Sequence, residues 1–123
     1  MNRIHTEKAP AAVGPYSQAV IAGGMVYTSG QIALDPLTGE LKGATTREQA
    51  EQVMKNLLAV LEAAGTGPEK AVKTLCFLTD MKDFAAFNEV YARYFTGKPA
   101  RSCVEVSALP RGAKCEAEVI AEL

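Results

Sequence analysis

Apolar residues change their spacing several times along this chain, and each change marks an element. Residues 17–22 (SQAVIA) and 25–29 (MVYTS) are short, apolar and partly β-branched. Gly23-Gly24 lies between them, which predicts a tight hairpin. ALDPLTGEL (33–41) carries Asp35-Pro36 and Thr38-Gly39 and reads as a surface turn. From Thr45 onward Ala50, Val53, Met54, Leu57, Leu58 and Leu61 recur at helical spacing. Thr45 with Glu48 fits a capping box and Gly65 a helix stop, so a helix is predicted over 46–64. VKTLCFLT (72–79) is apolar on both faces, as a central strand would be. DFAAFNEVYARYF follows, with Asp83 as its expected cap and an apolar stripe of Phe84, Phe87, Tyr91 and Tyr94/Phe95. Gly97 and Pro99 end it. ARSCVEVSAL and KCEAEVIAEL complete the pattern as two strands around a turn-like Leu109-Pro110-Arg111-Gly112.

The order is therefore hairpin, helix, strand, helix, strand, strand. It predicts one α+β domain over residues 1–123, with two helices packed on one face of a mixed sheet. The other face still receives Val, Ile, Ala and Leu side chains. An exposed apolar face of that size is a liability in a monomer, so partner subunits are expected to cover it.

Composition narrows the function. The chain has 123 residues, enough to bury a core without disulfide or metal staples. Thirteen basic and fourteen acidic residues give a net charge of −1, which argues against strong nucleic-acid binding. The start lacks an apolar stretch of signal-peptide length, and no run approaches a membrane span. Cys76, Cys103 and Cys115 are odd in number and lack CxxC spacing, so neither a disulfide framework nor a cysteine zinc site is expected. A reducing cytoplasm is the natural compartment. His5 is the one histidine, which removes the usual parts of histidine metal sites and proton relays.

The candidate chemistry lies in the last two strands. In KPARSCVEV, alternation puts Arg101, Cys103 and Glu105 on one face. In KCEAEVIAE it puts Glu116, Glu118, Ile120 and Glu122 on one face and Cys115, Ala117 and Val119 on the other. If the two strands neighbour each other, Arg101 meets Glu116, either as a structural ion pair or as an anion clamp beside a base. Cys103 has no histidine to activate it and reads as a packing or pocket-wall residue. Gly30, after Ser29, marks either a bulge or a close approach of a ligand to the backbone. Tyr16 is a loop aromatic, and Asn88 a polar residue beside the aromatic stripe.

Taken together, APAAVGPYSQAV, VYTSGQIALDPLTGEL, NLLAVLEAAG, VKTLCFLTDMKDFAAFNEVYARYF and PARSCVEVSALPRGAKCEAEVIA resemble the RidA (YjgF) family, in collinear order over nearly the whole chain. The resemblance implies a fold similar to chorismate mutase. It also implies a barrel-like homotrimer with helices outside and three sites in clefts between subunits. Enzymatic members hydrolyse reactive 2-imino acids to 2-keto acids and ammonia. By resemblance Arg101 holds the substrate carboxylate and Glu116 lies near the water site. Tyr16, Ser29, Gly30, Asn88 and Cys103 are the matching substrate-binding positions. The link TGKPA (96–100) is shorter than in many members, with Lys98 where a bulkier residue often precedes the proline.

These readings converge on hydrolysis of the C=N bond of a small 2-imino carboxylate, with no cofactor or metal. A trimeric carboxylate-binding or regulatory module is the alternative. Ribonuclease or translation-inhibitor activity is a third reading, disfavoured by the near-neutral charge and the lack of a histidine pair.

Overall fold

The structure is a computed structural model that describes all residues, 1–123. Eight elements matter: β1 (Asn2–Ile4), β2 (Ala19–Ala22), β3 (Met25–Thr28), α1 (Thr46–Ala64), β4 (Ala71–Leu78), α2 (Phe84–Tyr94), β5 (Ala100–Glu105) and β6 (Cys115–Glu122). They form one six-stranded sheet in the order β1-β2-β3-β6-β4-β5. The β4–β5 pair is parallel and the others antiparallel, so the sheet is mixed. The expected α+β architecture, with both helices on one face, is present.

Local chemistry sets the boundaries. Gly23 and Gly24 both take positive φ (59° and 75°), the conformation of a two-residue hairpin turn. Thr45 and Glu48 close the capping box, and Gly65 ends α1 in the left-handed region with φ 88°. Asp83 departs from its expected role. Its side chain makes no cap bond. Instead its carboxylate accepts from the Thr46 hydroxyl at 2.7 Å, joining the starts of the two helices. Asp80 caps the short 3-10 turn Met81–Asp83 that leads into α2.

The core lies between the sheet and the helices. Val53, Met54, Leu57, Val60 and Leu61 of α1 and Phe87 and Val90 of α2 are fully buried against Val26, Cys76, Leu78, Cys115, Ala117, Val119 and Ala121. Phe84, expected in the buried stripe, is exposed at the start of α2.

α1 also buries three amides that position loops. Gln49 Nε2 donates to Gly43 O, and its Oε1 accepts from Lys114 N–H. Asn56 Nδ2 donates to Ile32 O and Leu34 O at 3.1 and 2.9 Å, and its Oδ1 accepts from Gln52. These bonds satisfy carbonyls that a loop lying on a helix would otherwise leave unpaired.

The opposite face of the sheet has no helix. Register places Val20, Tyr27, Ile120, Leu75, Phe77 and Val104 there, with Lys73, Glu116 and Glu118. Tyr27 and Val104 are more than 40% exposed. No helix is long and apolar enough to cross a membrane.

Candidate active site

The sequence left open whether the strands of Arg101 and Glu116 are neighbours; in the structure they are not. β4 lies between β5 and β6. Arg101 pairs with Thr74 of β4, whereas Glu116 pairs with Phe77. Thr74 and Phe77 are three residues apart on one strand, so they face opposite sides of the sheet. Arg101 therefore lies on the helix-covered face and Glu116 on the open one, and the chain forms no Arg101–Glu116 ion pair. The alternation within each strand holds, and the condition for an Arg101–Glu116 contact, adjacent β5 and β6, is not met.

Glu116 occupies a cleft of about 570 Å³ whose walls include Tyr16, Ser29, Gly30, Ile32 and Arg111. Its floor is held by hydrogen bonds. Gln31 and Ala117 exchange backbone hydrogen bonds, extending the β3–β6 pairing past Thr28. Ser29 Oγ donates to Ser17 O at 2.5 Å, fixing the strand end to the GPYSQ loop. Gln18 organises the wall before Tyr16: its Nε2 donates to Thr6 O, Ala9 O and Pro10 O, and its Oε1 accepts from Thr6 N–H. Burial, and then the nearby charge of Glu118, push the Glu116 carboxyl above its ordinary pKa.

Gly30 leaves its side-chain space to Glu116. Its importance here is not an unusual backbone conformation. A Cβ at residue 30 would stand 2.9 Å from Glu116 Cδ, inside any normal contact. Glycine leaves room for the carboxylate.

The second group surrounds Arg101, in a cleft of about 340 Å³ formed by Asn88, Tyr91, Phe95, Lys98 and Pro99 with neighbouring residues. Arg101 Nη1 donates to Asn88 Oδ1 at 2.7 Å. The guanidinium carbon lies 4.7 Å from the Tyr91 ring centroid and 5.5 Å from that of Phe84. None of the chain's ion pairs includes Arg101. Lys98 shares this cleft, on a left-handed backbone with φ 53°. Cys103 is two residues along the same face, half-buried and packed on the core, outside the walls of both clefts. Burial raises its thiol pKa, with Arg101 offsetting part of the rise.

Of the seven sequence-derived site residues, the structure thus gathers Tyr16, Ser29, Gly30 and Glu116 in one cleft and Asn88 with Arg101 in another. Cys103 stands beside the second. Sequence reading missed Gln18 as the organiser of the N-terminal wall and Tyr91 as the surface beneath Arg101. Both are polar groups at apolar positions, a signal visible in the sequence but silent about what they hold.

The family described as Endoribonuclease L-PSP matches residues 6–123. The chain belongs to that family, known also as YjgF, RidA or RutC. Among its relatives, "RutC family protein y4sK" of Sinorhizobium fredii is 54% identical, covering 98% of this chain and 96% of the relative. The mouse 2-iminobutanoate/2-iminopropanoate deaminase is 50% identical over 96% of this chain and 88% of its own length. Among solved structures, E. coli TdcF with bound serine superposes with a TM-score of 0.95 at 43% identity, covering all of this chain and 99% of that one. This family membership agrees with the resemblance read from the GPYSQ, TSGQI, DFAAFN and PARSCVEV motifs.

Proposed function

We propose that this protein is a hydrolytic deaminase of small 2-imino acids, acting as a homotrimer in the cytoplasm. The observation that carries the reading is the division of the site. Arg101, a cation outside every ion pair of the chain, and the cleft that holds the Glu116 carboxyl stand on opposite faces of one sheet. Apposition of two copies, with the Arg101 edge of one against the Glu116 cleft of its neighbour, assembles a full site. The apolar open face supplies a reason for copies to associate. The mouse relative's named activity supports the same chemistry.

In this mechanism Arg101 holds the substrate carboxylate through its planar fork. Glu116 orients a water and takes one of its protons as the oxygen bonds to the imine carbon. The C=N bond becomes a C–N single bond as Glu116 passes that proton to the nitrogen, leaving a neutral carbinolamine and an ionised carboxylate. The carbinolamine then collapses: the C=O bond forms, the C–N bond breaks and ammonia leaves. In that collapse the ionised Glu116 takes the hydroxyl proton as the C=O bond forms and delivers it to the departing nitrogen, so the base ends as it began. Because such imines also hydrolyse in water, fixed orientation of water and imine supplies much of the acceleration required.

A non-catalytic carboxylate-binding module would need the Arg101 half alone. The raised pKa of Glu116 favours the enzyme, because binding an anion gives no use for a half-buried carboxyl in the facing cleft. The deciding assay generates imines from several amino acids with an amino-acid oxidase or a dehydratase while semicarbazide traps them. The protein should lower semicarbazone yield. Unchanged yield with every imine would refute deamination. Sedimentation should give three times 13.1 kDa; a monomer at micromolar concentration would remove the inter-subunit site.

A further inference from the structure

Arg101 has a feature unusual for a half-buried arginine: every group that holds it is neutral. An arginine fixed by an aspartate or glutamate is well oriented, but its charge is already compensated. Here orientation comes from an amide oxygen and aromatic faces. Asn88 Oδ1 accepts one N–H at 2.7 Å. The Tyr91 ring lies against the guanidinium with its centroid 4.7 Å away, and the Phe84 ring stands at 5.5 Å. A guanidinium has five N–H donors, so the single bond to Asn88 leaves the rest of the fork free.

Tyr91 is itself fixed. Its ring is buried between Phe87 and Phe95, with centroid separations of 6.1 and 4.9 Å. Its hydroxyl and that of Thr74 share a hydrogen bond of 2.7 Å. Thr74 is also the register partner of Arg101 on the neighbouring strand. The strand that carries Arg101 and the helix that supports it are thus tied through one buried contact. The nearest acidic residue on α2, Glu89, is engaged elsewhere, in an ion pair with Arg47. Glu105, on the Arg101 face of β5, accepts from Met81 N–H.

We infer that Asn88 and Tyr91 are positioning residues that fix the Arg101 guanidinium without neutralising it, so that each protomer carries a preformed, charge-uncompensated carboxylate site. This refines the role of Asn88 from substrate contact to support of the arginine. It rests on the proposed reading that Arg101 receives the substrate carboxylate, but its test does not require turnover.

The test is calorimetric binding of 2-oxobutanoate, a non-hydrolysable carboxylate of the product class, with melting temperature recorded on each variant. Asn88→Asp keeps the size and the acceptor oxygen but adds a charge facing Arg101. It should lose affinity ten- to a hundredfold while leaving the melting temperature unchanged or higher, because a new ion pair forms. Asn88→Ala should lose less, because the guanidinium is freed but still charged. The order wild type, Ala, Asp in falling affinity is the expected result. Equal losses for Ala and Asp would mean that Asn88 contacts the ligand directly, and unchanged affinity in both would make it merely structural; either outcome overturns the inference.

Tyr91→Leu removes the aromatic face and should weaken binding about tenfold, while Tyr91→Phe restores most of it. A Phe variant as weak as the Leu variant would refute the role of the ring. Should the Leu variant fail to fold, the Asn88 pair still decides. If wild type binds 2-oxobutanoate but hydrolyses no imine, the deaminase reading fails while this inference stands. If wild type binds no 2-oxobutanoate, the inference fails.

Discussion

The Glu116 carboxyl fills the space beside Gly30 that any side chain on residue 30 would take. A Cβ there would stand 2.9 Å from Glu116 Cδ and 3.2 Å from its Cγ. The glycine of TSGQI and the glutamate of the last strand are thus one steric unit, contributed by segments far apart in sequence and joined by the Gln31–Ala117 bridge.

Gly30→Ala should therefore act as a mutation of Glu116. Its φ is not in the left-handed region, so the substitution strains side-chain packing rather than the backbone. Overpacking of this kind costs about 1–3 kcal/mol when absorbed by stability. Displacement of the carboxylate instead should reduce kcat by about tenfold or more, equivalent to at least ~1.4 kcal/mol. Steady-state kinetics on the folded variant check this; full activity with an unchanged melting temperature would show that the carboxylate works equally well elsewhere.

The raised pKa of Glu116 gives a signed pH dependence. In the proposed mechanism Glu116 works ionised, so kcat/KM should rise with pH through its elevated pKa and then level off. Glu118→Gln removes the neighbouring negative charge and should move that acidic limb to lower pH. Stability runs the other way. The native state binds the Glu116 proton more tightly than the unfolded chain. This contribution is present below the ordinary value near 4.5 and is lost as pH rises through the folded pKa. Glu116→Gln should abolish the limb and lower kcat by about 10²–10⁴. A limb that survives in the Gln variant would belong to another group.

How far the sequence disclosed this arrangement depended on the range of the interactions involved. α1 was legible to the residue because its start and stop are local: the Thr45–Glu48 box and Gly65 act within a few residues. β1 was missed because three residues, NRI, carry too short a pattern to reveal a period. β5 was expected to reach residue 109 but ends at Glu105. Its partner β4 ends at Leu78, so the apolar pattern beyond 105 has almost no ladder to join. The strand order that separates Arg101 from Glu116 was hidden for the same reason. Consecutive strands usually neighbour each other. Here β6 inserts between β3 and β4, and hydrophobic periodicity has no term for strand order. Periodicity does assign each side chain to one of its strand's two faces, and Arg101, Cys103 and Glu105 do share one.

Cys103→Ser should retain most activity. Burial raises the Cys103 thiol pKa, and burial pushes Cys76 and Cys115 up to about 12, so none of the three is a ready thiolate. Turnover and mass spectrometry after iodoacetamide treatment check this. A folded but inactive serine variant would point to a covalent thiol step in place of water addition.

Gln18→Met preserves approximate length and burial but removes an amide that serves four backbone partners between Thr6 and Pro10. Leaving buried carbonyls unpaired costs about 1–3 kcal/mol. Thermal denaturation should show that loss. KM should rise with it, because the freed segment includes Pro10 and leads into the Tyr16 wall of the Glu116 cleft. Lowered stability with unchanged KM would confine Gln18 to a structural role.

Arg101→Lys tests the carboxylate clamp while keeping the charge. Lysine offers a point charge on a flexible stem, whereas arginine offers a planar fork for both carboxylate oxygens. The change also removes the flat group that lies against Tyr91, so the cation loses its fixed direction. Loss of one charge-assisted hydrogen bond costs about 1.5–3 kcal/mol. By the rule of about 1.36 kcal/mol per decade, that is roughly ten- to a hundredfold in affinity or rate. The loss should appear alike for imine turnover and for keto-acid binding, with the oligomer intact. An arginine that merely braces α2 would behave differently: its lysine variant would bind keto acids normally and melt at a lower temperature. Measuring affinity and melting temperature on one preparation separates the two, and normal affinity with lowered stability would defeat the clamp.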